Sequence, residues 1–450
     1  MDFSLFIHPQ NMALVTDLYQ LTMIACYFHE NKQETPVTFE YFLRPQSERH
    51  CFVFAGGEQA LDYLEKVTFS PKSIAYLKTL EPLKKLPARF FSFLRKFAFQ
   101  GEVRMVPEGT IVFPNEPLLQ ISGPLAQVQL VETYLLATLN FQTMIATKAA
   151  RILEAAQGRP VFEFGTRRAH GPQAGTLAAR ASYIAGCSGT SILHAGFELG
   201  IPVVGTAAHS FILSHPSEMS AFHSYYDLFQ EHTTLLIDTY DTLQGARNAC
   251  QVGPLLKGIR LDSGDLAHLS REVRKILDQA GFPHAKILAS NDLNEQRIQA
   301  LLKENAKIDA FGVGTELVTS RDQPALSGVY KLVEIEENGQ KKPKMKFSES
   351  KISYPGKKQI FRQSKNGVAF QDLLALEGES HLGETLLKSV MTQGKRIHKP
   401  MNMNELQTFH QQQKQHFPPH FLDCQHKTYP LLISDQLNKL VQNLKSSSLS

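Results

Sequence analysis

Cysteine is scarce and unpatterned in this sequence. Cys26, Cys51, Cys187, Cys250 and Cys424 are an odd number, far apart and without a CxxC pair. That excludes a disulfide framework and a zinc cluster and leaves free thiols in a reducing compartment as the expectation. No run reaches ~18 uninterrupted apolar residues, so no membrane-spanning helix is expected. The opening stretch MDFSLFIHPQNM has no basic segment followed by an apolar one, so no secretory signal is expected and the reading is cytoplasmic. Net charge is also small, with 47 Lys and Arg against 43 Asp and Glu. That balance does not call for nucleic acid as a partner, though local basic pockets for anions are compatible with it. GxGxxG and GxxxxGK[ST] loops are both missing, which removes the commonest nucleotide-binding motifs.

What is present is ordinary globular material, 42% apolar and 20% charged over 450 residues, enough for two or three domains. Residues 14–28 and 125–150 have helical apolar spacing. Between them, GEVRMVPEGTIVFPNEPLLQIS alternates apolar and polar and reads as short antiparallel strands. From about 160 to 320 the style changes. Strand-like runs recur at Val161–Phe164, Pro202–Gly205, Leu235–Asp238, Gly258–Leu261, Lys286–Ala289 and Ala310–Val313, most of them separated by helical segments such as Leu266–Leu277. Strand, loop and helix in repetition predict a parallel α/β sheet or barrel. Six strands are fewer than the eight of a standard barrel, so a distorted or incomplete barrel and an open sheet both fit. A hairpin is predicted to turn at Asn338-Gly339. The lysines from Lys341 to Lys358 read as a solvated face rather than an anion site, and the terminal SSSLS as frayed. The domain reading is an N-terminal α+β region to 150, an α/β region over 151–325, and a remainder over 326–450 packing back on the first.

Ligands of parallel α/β folds bind at the carboxyl ends of the strands. Here those ends lead into GTRRAHGP, TAAHS, DTYDT, RLDSGD, SNDLNE and FGVGTELVTS. Each segment alone has a bland explanation: a lone histidine is usually structural, and paired arginines such as Arg167 and Arg168 are usually surface charge. Six polar or Gly-rich ends on one side of a sheet are harder to dismiss. Arginines and Gly-rich loops suit phosphates. Asp238, Asp262, Asp265 and Asp292 suit ribose hydroxyls or a magnesium ion. His209 is the strong nucleophile or base of the set. Chemistry on a phosphorylated sugar is the reading.

The blocks TDLYQLTM (16–23), FEFGTRRAHGP (162–172), GTSILHAGFELGIPVVGTAAHS (189–210), LLIDTYDT (235–242), GIRLDSGDL (258–266) and AFGVGTELVTS (310–320) resemble those of nicotinate phosphoribosyltransferases. The resemblance runs from about residue 12 to 395 and fades in the last ~50 residues. It implies an irregular or incomplete α/β barrel with an additional α+β domain formed from the N-terminal region and later chain. It also implies a homodimer with shared active sites and a reaction of nicotinate with phosphoribosyl pyrophosphate, coupled to ATP hydrolysis with Mg2+. By the same resemblance His209 is the histidine phosphorylated by ATP. Tyr19, from the neighbouring subunit, and Phe164 sandwich the pyridine ring. Arg167 and Arg260 hold carboxylate and phosphates, while Asp262 binds ribose or metal, with Asp265 as a further metal ligand. Ser210 and Asp292 join the substrate site, and the backbone of Gly312, Gly314 and Thr315 cradles the 5′-phosphate. Asp17 matches too, as a substrate residue or as structural support, and His170 and His194 read as packing residues.

Related enzymes that use nicotinamide carry an aspartate where this chain has Ser191. A serine hydroxyl can donate to a carboxylate that an aspartate would repel, so Ser191 favours the acid; the bland alternative is a small residue opening a helix over 190–199. Nicotinamide or quinolinate phosphoribosyltransferases are the neighbouring readings, and quinolinate enzymes do not need His209. A catalytically silent nucleotide-binding relative would not need His209, Arg260, Asp262 and Tyr19 together. An aldolase-like barrel would need a Schiff-base lysine at a strand end, and none is there.

Overall fold

The structure is a computed structural model describing residues 6–46, 49–346, 353–418, 421 and 429–448. It divides into two compact units, one from residues 1–143, 325–401 and 408–450, the other from 144–324 and 402–407.

The second unit is built on a six-stranded, all-parallel sheet. Its spatial order is Gly189–Thr190, Val161–Glu163, Ala310–Val313, Lys286–Ala289, Gly258–Leu261 and Thr234–Leu236. Helices Pro172–Ala185, Thr242–Ala249, Leu266–Gln279 and Glu295–Lys303 separate successive strands. Val161, Leu235, Leu236, Ile259, Leu261, Ile287, Phe311 and Val313 are all buried, as expected of parallel strands covered on both faces. Helix Leu266–Gln279 packs inward through Leu266, Val273 and Leu277, matching the periodicity of the sequence.

One expected strand is corrected. Pro202–Gly205 contributes only a single bridge, between Thr190 and Val203, because Pro202 has no N–H to donate to a ladder. Its carbonyl accepts from Thr190 N–H at 3.0 Å, and Val204 N–H donates back to Thr190 at 2.9 Å. The partner, Gly189–Thr190, is too short to show a pattern in sequence.

The first unit contains a seven-stranded sheet whose centre pairs Pro36–Leu43 with Gly328–Glu337 and Pro117–Pro124, all antiparallel. The hairpin turns at Asn338 and Gly339, both at positive φ, as a two-residue turn of this composition requires. Residues 347–352 of the lysine-rich stretch lie outside the described residues. Within that stretch, Lys358 is not solvated: it is buried, with its Nζ 2.8 Å from Glu40. The C-terminal helix spans Asp435–Ser448, and the last two residues of the SSSLS end lie outside the described residues. Cys26, Cys187 and Cys250 are free thiols, while Cys424 lies outside the described residues. No helix among the described residues is long and apolar enough to cross a membrane.

His410 gives this unit an acid-sensitive point. It is fully buried, its Nδ1–H donates to the Gly109 carbonyl at 2.8 Å, and its Nε2 has no hydrogen-bond partner. Burial lowers its pKa from the ordinary 6.5 to about 4. Folded His410 therefore stays neutral while the unfolded chain protonates below pH 6.5. Stability present above that pH is lost as pH falls toward 4, by at most ~1.4 kcal/mol per pH unit. His410→Gln, which can still donate to Gly109, should flatten the Tm-against-pH slope between 6.5 and 4.5. An unchanged slope removes His410 from that account.

Candidate active site

The carboxyl ends of the parallel strands carry a connected polar network. Arg260, in the strand Gly258–Leu261, donates from Nε to Ser290 Oγ (2.9 Å), from Nη1 to Thr206 Oγ1 (3.3 Å) and from Nη2 to Asp262 Oδ1 (2.8 Å). Its guanidinium lies 5.9 Å from the centre of the Phe164 ring, within cation–π range. Three donors in different directions fix the plane of the group, which a flexible ammonium could not reproduce.

Behind this layer sits Asp238, largely buried. Its Oδ2 accepts from the Asp262 backbone N–H (2.8 Å) and from Ser263 Oγ–H (2.7 Å). Its Oδ1 is buried without a partner. The next residue, Thr239, places its hydroxyl 3.2 Å from His209 Nδ1, while His209 Nε2 faces Asp262 Oδ2 at 3.7 Å. The imidazole is 42% exposed, reachable from solvent yet held at both nitrogens. A carboxylate opposite Nε2 favours the Nε2–H tautomer and leaves the Nδ1 lone pair for Thr239 or for an incoming group.

The strand Val161–Glu163 delivers Phe164, and two glycines make room around it. A Cβ at Gly312 would lie 2.5 Å from the Phe164 ring, and one at Gly165 would strike Val318. Gly312 is inside its strand, opposite Phe162; Gly314 and Thr315 follow at its end. Arg167 and Arg168, in the turn Thr166–Arg168, are exposed. The Arg168 backbone N–H donates to the Gly165 carbonyl at 2.7 Å and the Arg167 charge acts on Glu163. Among the described residues neither guanidinium is held in an ion pair, so both can meet an anion. Ser191 lies before the helix Leu193–Leu199 rather than within it. Its N–H donates to the Glu163 carbonyl at 2.9 Å. A cleft of about 510 Å³ reaches from Phe164 and Thr206 toward the opposite, amino-terminal ends of the strands, where Thr234, Gly258, Lys286 and Ala310 line it.

Other strand-end residues have local duties. Asp265 caps the helix Leu266–Gln279 by accepting from His268 N–H at 3.0 Å, and Asp241 and Asn294 cap the two neighbouring helices. Asp292 is exposed and at positive φ; the preceding, half-buried Asn291 is at positive φ too. Ser210 is exposed in the short helix His209–Leu213. The loops around Asp292 and Thr315 are braced by Lys148, whose buried Nζ is 2.6 Å from Glu295 and 2.9 Å from Asp322. Among the described residues no three His, Cys, Asp or Glu side chains gather as a metal site.

Two expected residues belong to the first unit. Tyr19 is the second residue of the helix Leu18–His29 and is 49% exposed. Asp17 begins that helix and accepts from Thr133 Oγ1–H at 2.8 Å, a structural duty.

Sequence reading missed Glu163, Thr190, Thr206, Thr239 and Ser290. Hydroxyl residues leave little trace in a sequence pattern. Glu163 did leave one, as a charge inside the otherwise apolar run VFEF.

Basic, hydroxyl and carboxylate groups converging at the strand ends of a parallel α/β unit have the chemistry that suits a phosphorylated sugar. More particularly, the chain belongs to the nicotinate phosphoribosyltransferase family. The model of that family's N-terminal domain matches residues 14–140, and the model of the family itself matches residues 160–377. A nicotinate phosphoribosyltransferase of Mycobacterium tuberculosis is 41% identical over 436 residues, covering 94% of this chain and 92% of the relative. One from Bacillus subtilis is 42% identical over 381 residues, covering 82% and 77%. The crystal structure of human nicotinic acid phosphoribosyltransferase is similar at a TM-score of 0.84 and 28% identity, covering 95% of this chain and 99% of that one.

Proposed function

We propose that this chain transfers the phosphoribosyl group of phosphoribosyl pyrophosphate to nicotinate, with ATP hydrolysis coupled through a phosphohistidine at His209. The observation that carries this reading, beside family membership, is His209 held between Thr239 and Asp262 next to the braced Arg260.

In this reading the Nδ1 lone pair of His209 displaces Thr239 and attacks the γ-phosphorus of ATP. An N–P bond forms, the bond to the bridging oxygen breaks, and ADP leaves. The charged phosphohistidine then favours the state that binds the phosphoribosyl donor. The nicotinate nitrogen bonds to ribose C1 as pyrophosphate departs, giving nicotinate mononucleotide. Arg260 meets the charge developing on pyrophosphate, and Asp262 receives ribose hydroxyls. Gly314 and Thr315 face the 5′-phosphate, with Gly312 setting the position of Phe164. Arg167 and Ser191 receive the carboxylate; the Ser191 hydroxyl has no hydrogen-bond partner among the described residues and can donate. Water finally cleaves the phosphohistidine.

Magnesium fits as an ion carried in on polyphosphate, because the donor set is too small for a resident one and Mg2+ commonly needs only one or two protein carboxylates. Asp262 and the unpartnered oxygen of Asp238 would hold it, Asp265 being engaged as a cap. When bound it neutralises polyphosphate charge. A homodimer placing the partner's aromatic opposite Phe164 is part of the proposal. It is supported by large exposed apolar residues in the second unit, among them Leu193, Phe197, Leu213 and Tyr240, more than isolated surface residues explain. A cytoplasmic setting accords with the free thiols.

The test is nicotinate mononucleotide formation from nicotinate, phosphoribosyl pyrophosphate, Mg2+ and ATP, with nicotinamide and quinolinate assayed in parallel. Product from nicotinate alone is expected. No product from any base with folded protein points to a silent relative. Ser191→Asp should then lower the nicotinate-to-nicotinamide ratio of kcat/KM at least ~10-fold, since a carboxylate replaces a donor beside the substrate acid. An unaltered ratio takes Ser191 out of substrate choice.

A further inference from the structure

We propose that Glu163 is a positioning residue for recognition of the substrate acid, tying the Arg167 turn and the Ser191 turn into one rigid unit. The inference rests on the reading that these two turns receive the nicotinate carboxylate.

Glu163 ends a strand and is fully buried. A buried carboxylate is disfavoured unless its oxygens are matched by donors, and burial does raise its pKa while the surrounding hydrogen bonds oppose the rise. Those donors come from two places. On one side the Gly165 backbone N–H donates to Oε1, with the Thr166 N–H also directed at the carboxylate. This is where the turn carrying Arg167 begins. On the other side the Thr190 hydroxyl donates to Oε2 at 2.6 Å and accepts from Ile192 N–H at 3.2 Å.

Ser191 is thereby bracketed. The residue before it is bound to the Glu163 side chain, the residue after it is bound to that same hydroxyl, and its own N–H is bound to the Glu163 carbonyl. Glu163 and Thr190 are register partners on adjacent parallel strands, so both turns leave the sheet side by side. One carboxylate thus fixes the backbone spacing between the turn that carries the Arg167 guanidinium and the turn that carries the Ser191 hydroxyl. A planar substrate acid is sensitive to that spacing, because hydrogen bonds weaken steeply as distance and angle depart from ideal.

Glu163→Gln keeps the shape but replaces one acceptor oxygen with a donor, so the Thr190 hydroxyl must reorient. The expected result is a rise in KM for nicotinate of ~10-fold, the scale of one lost hydrogen bond to a charged group. The nicotinate-to-nicotinamide ratio should fall with it, while KM for phosphoribosyl pyrophosphate stays within ~2-fold. Thr190→Val should move the same quantities in the same direction, and Thr190→Ser should restore them, since it keeps the hydroxyl. The double variant should be no worse than the poorer single one, as coupled groups are non-additive.

If Glu163→Gln does not fold, the Thr190→Val and Thr190→Ser pair decides. Equal shifts for both substrates, or a lowered Tm with an unmoved base ratio, would make the role merely structural and overturn the proposal. A parent chain inactive with nicotinate removes the functional reading and this one with it. An active parent with unresponsive variants removes only this one.

Discussion

His209→Ala is expected to cut ATP hydrolysed per nicotinate mononucleotide formed from near one to near zero. With subsaturating phosphoribosyl pyrophosphate, product formation should slow by ~10²-fold, equivalent to ~2.7 kcal/mol of lost transition-state stabilisation. The geometry explains why one substitution would uncouple two reactions. The imidazole is exposed enough to be reached, and both of its nitrogens are oriented by Thr239 and Asp262; no other histidine shares that arrangement among the described residues. Coupled ADP release and product quantification, with thermal denaturation to check folding, make the measurement. ATP use per product that survives the substitution removes the phosphohistidine.

The second large effect is expected from Arg260→Lys. Charge is retained, but a lysine cannot donate at once to Ser290, Thr206 and Asp262 or stack its plane over Phe164. The ammonium would be drawn to Asp262 and away from departing pyrophosphate. Loss of one preorganised donor commonly lowers kcat by ~10²–10³-fold, and that is the range expected here. Steady-state kinetics with both substrates varied would show it as a kcat effect. A loss smaller than ~10-fold would mean that Arg260 contributes charge and not geometry.

Much of the fold was legible because its signals are local. Five of the six expected strands from 160 to 320 follow from apolar runs that parallel strands need on both faces. The Leu266–Gln279 helix follows from its periodicity, and the hairpin from Asn338-Gly339. Pro202–Gly205 failed for a local reason as well, since proline breaks a ladder whatever the surrounding hydrophobicity. Lys358 failed for a distant one: Glu40, more than 300 residues earlier, draws it into the interior.

The residue types of the site and their place at strand ends were set by the chain's own order, because each parallel strand must end in a loop on the same side. Their duties were not. Asp265 and Asp262 stand three positions apart, yet one caps a helix and the other meets Arg260 and His209. Glu163 and Thr190 become partners because their strands lie side by side in the sheet. Arg260 takes its plane from Thr206 and Ser290, residues 54 and 30 positions away. Hydrogen bonds depend on distance and direction in space, and only the tertiary fold sets those between residues so far apart in the chain.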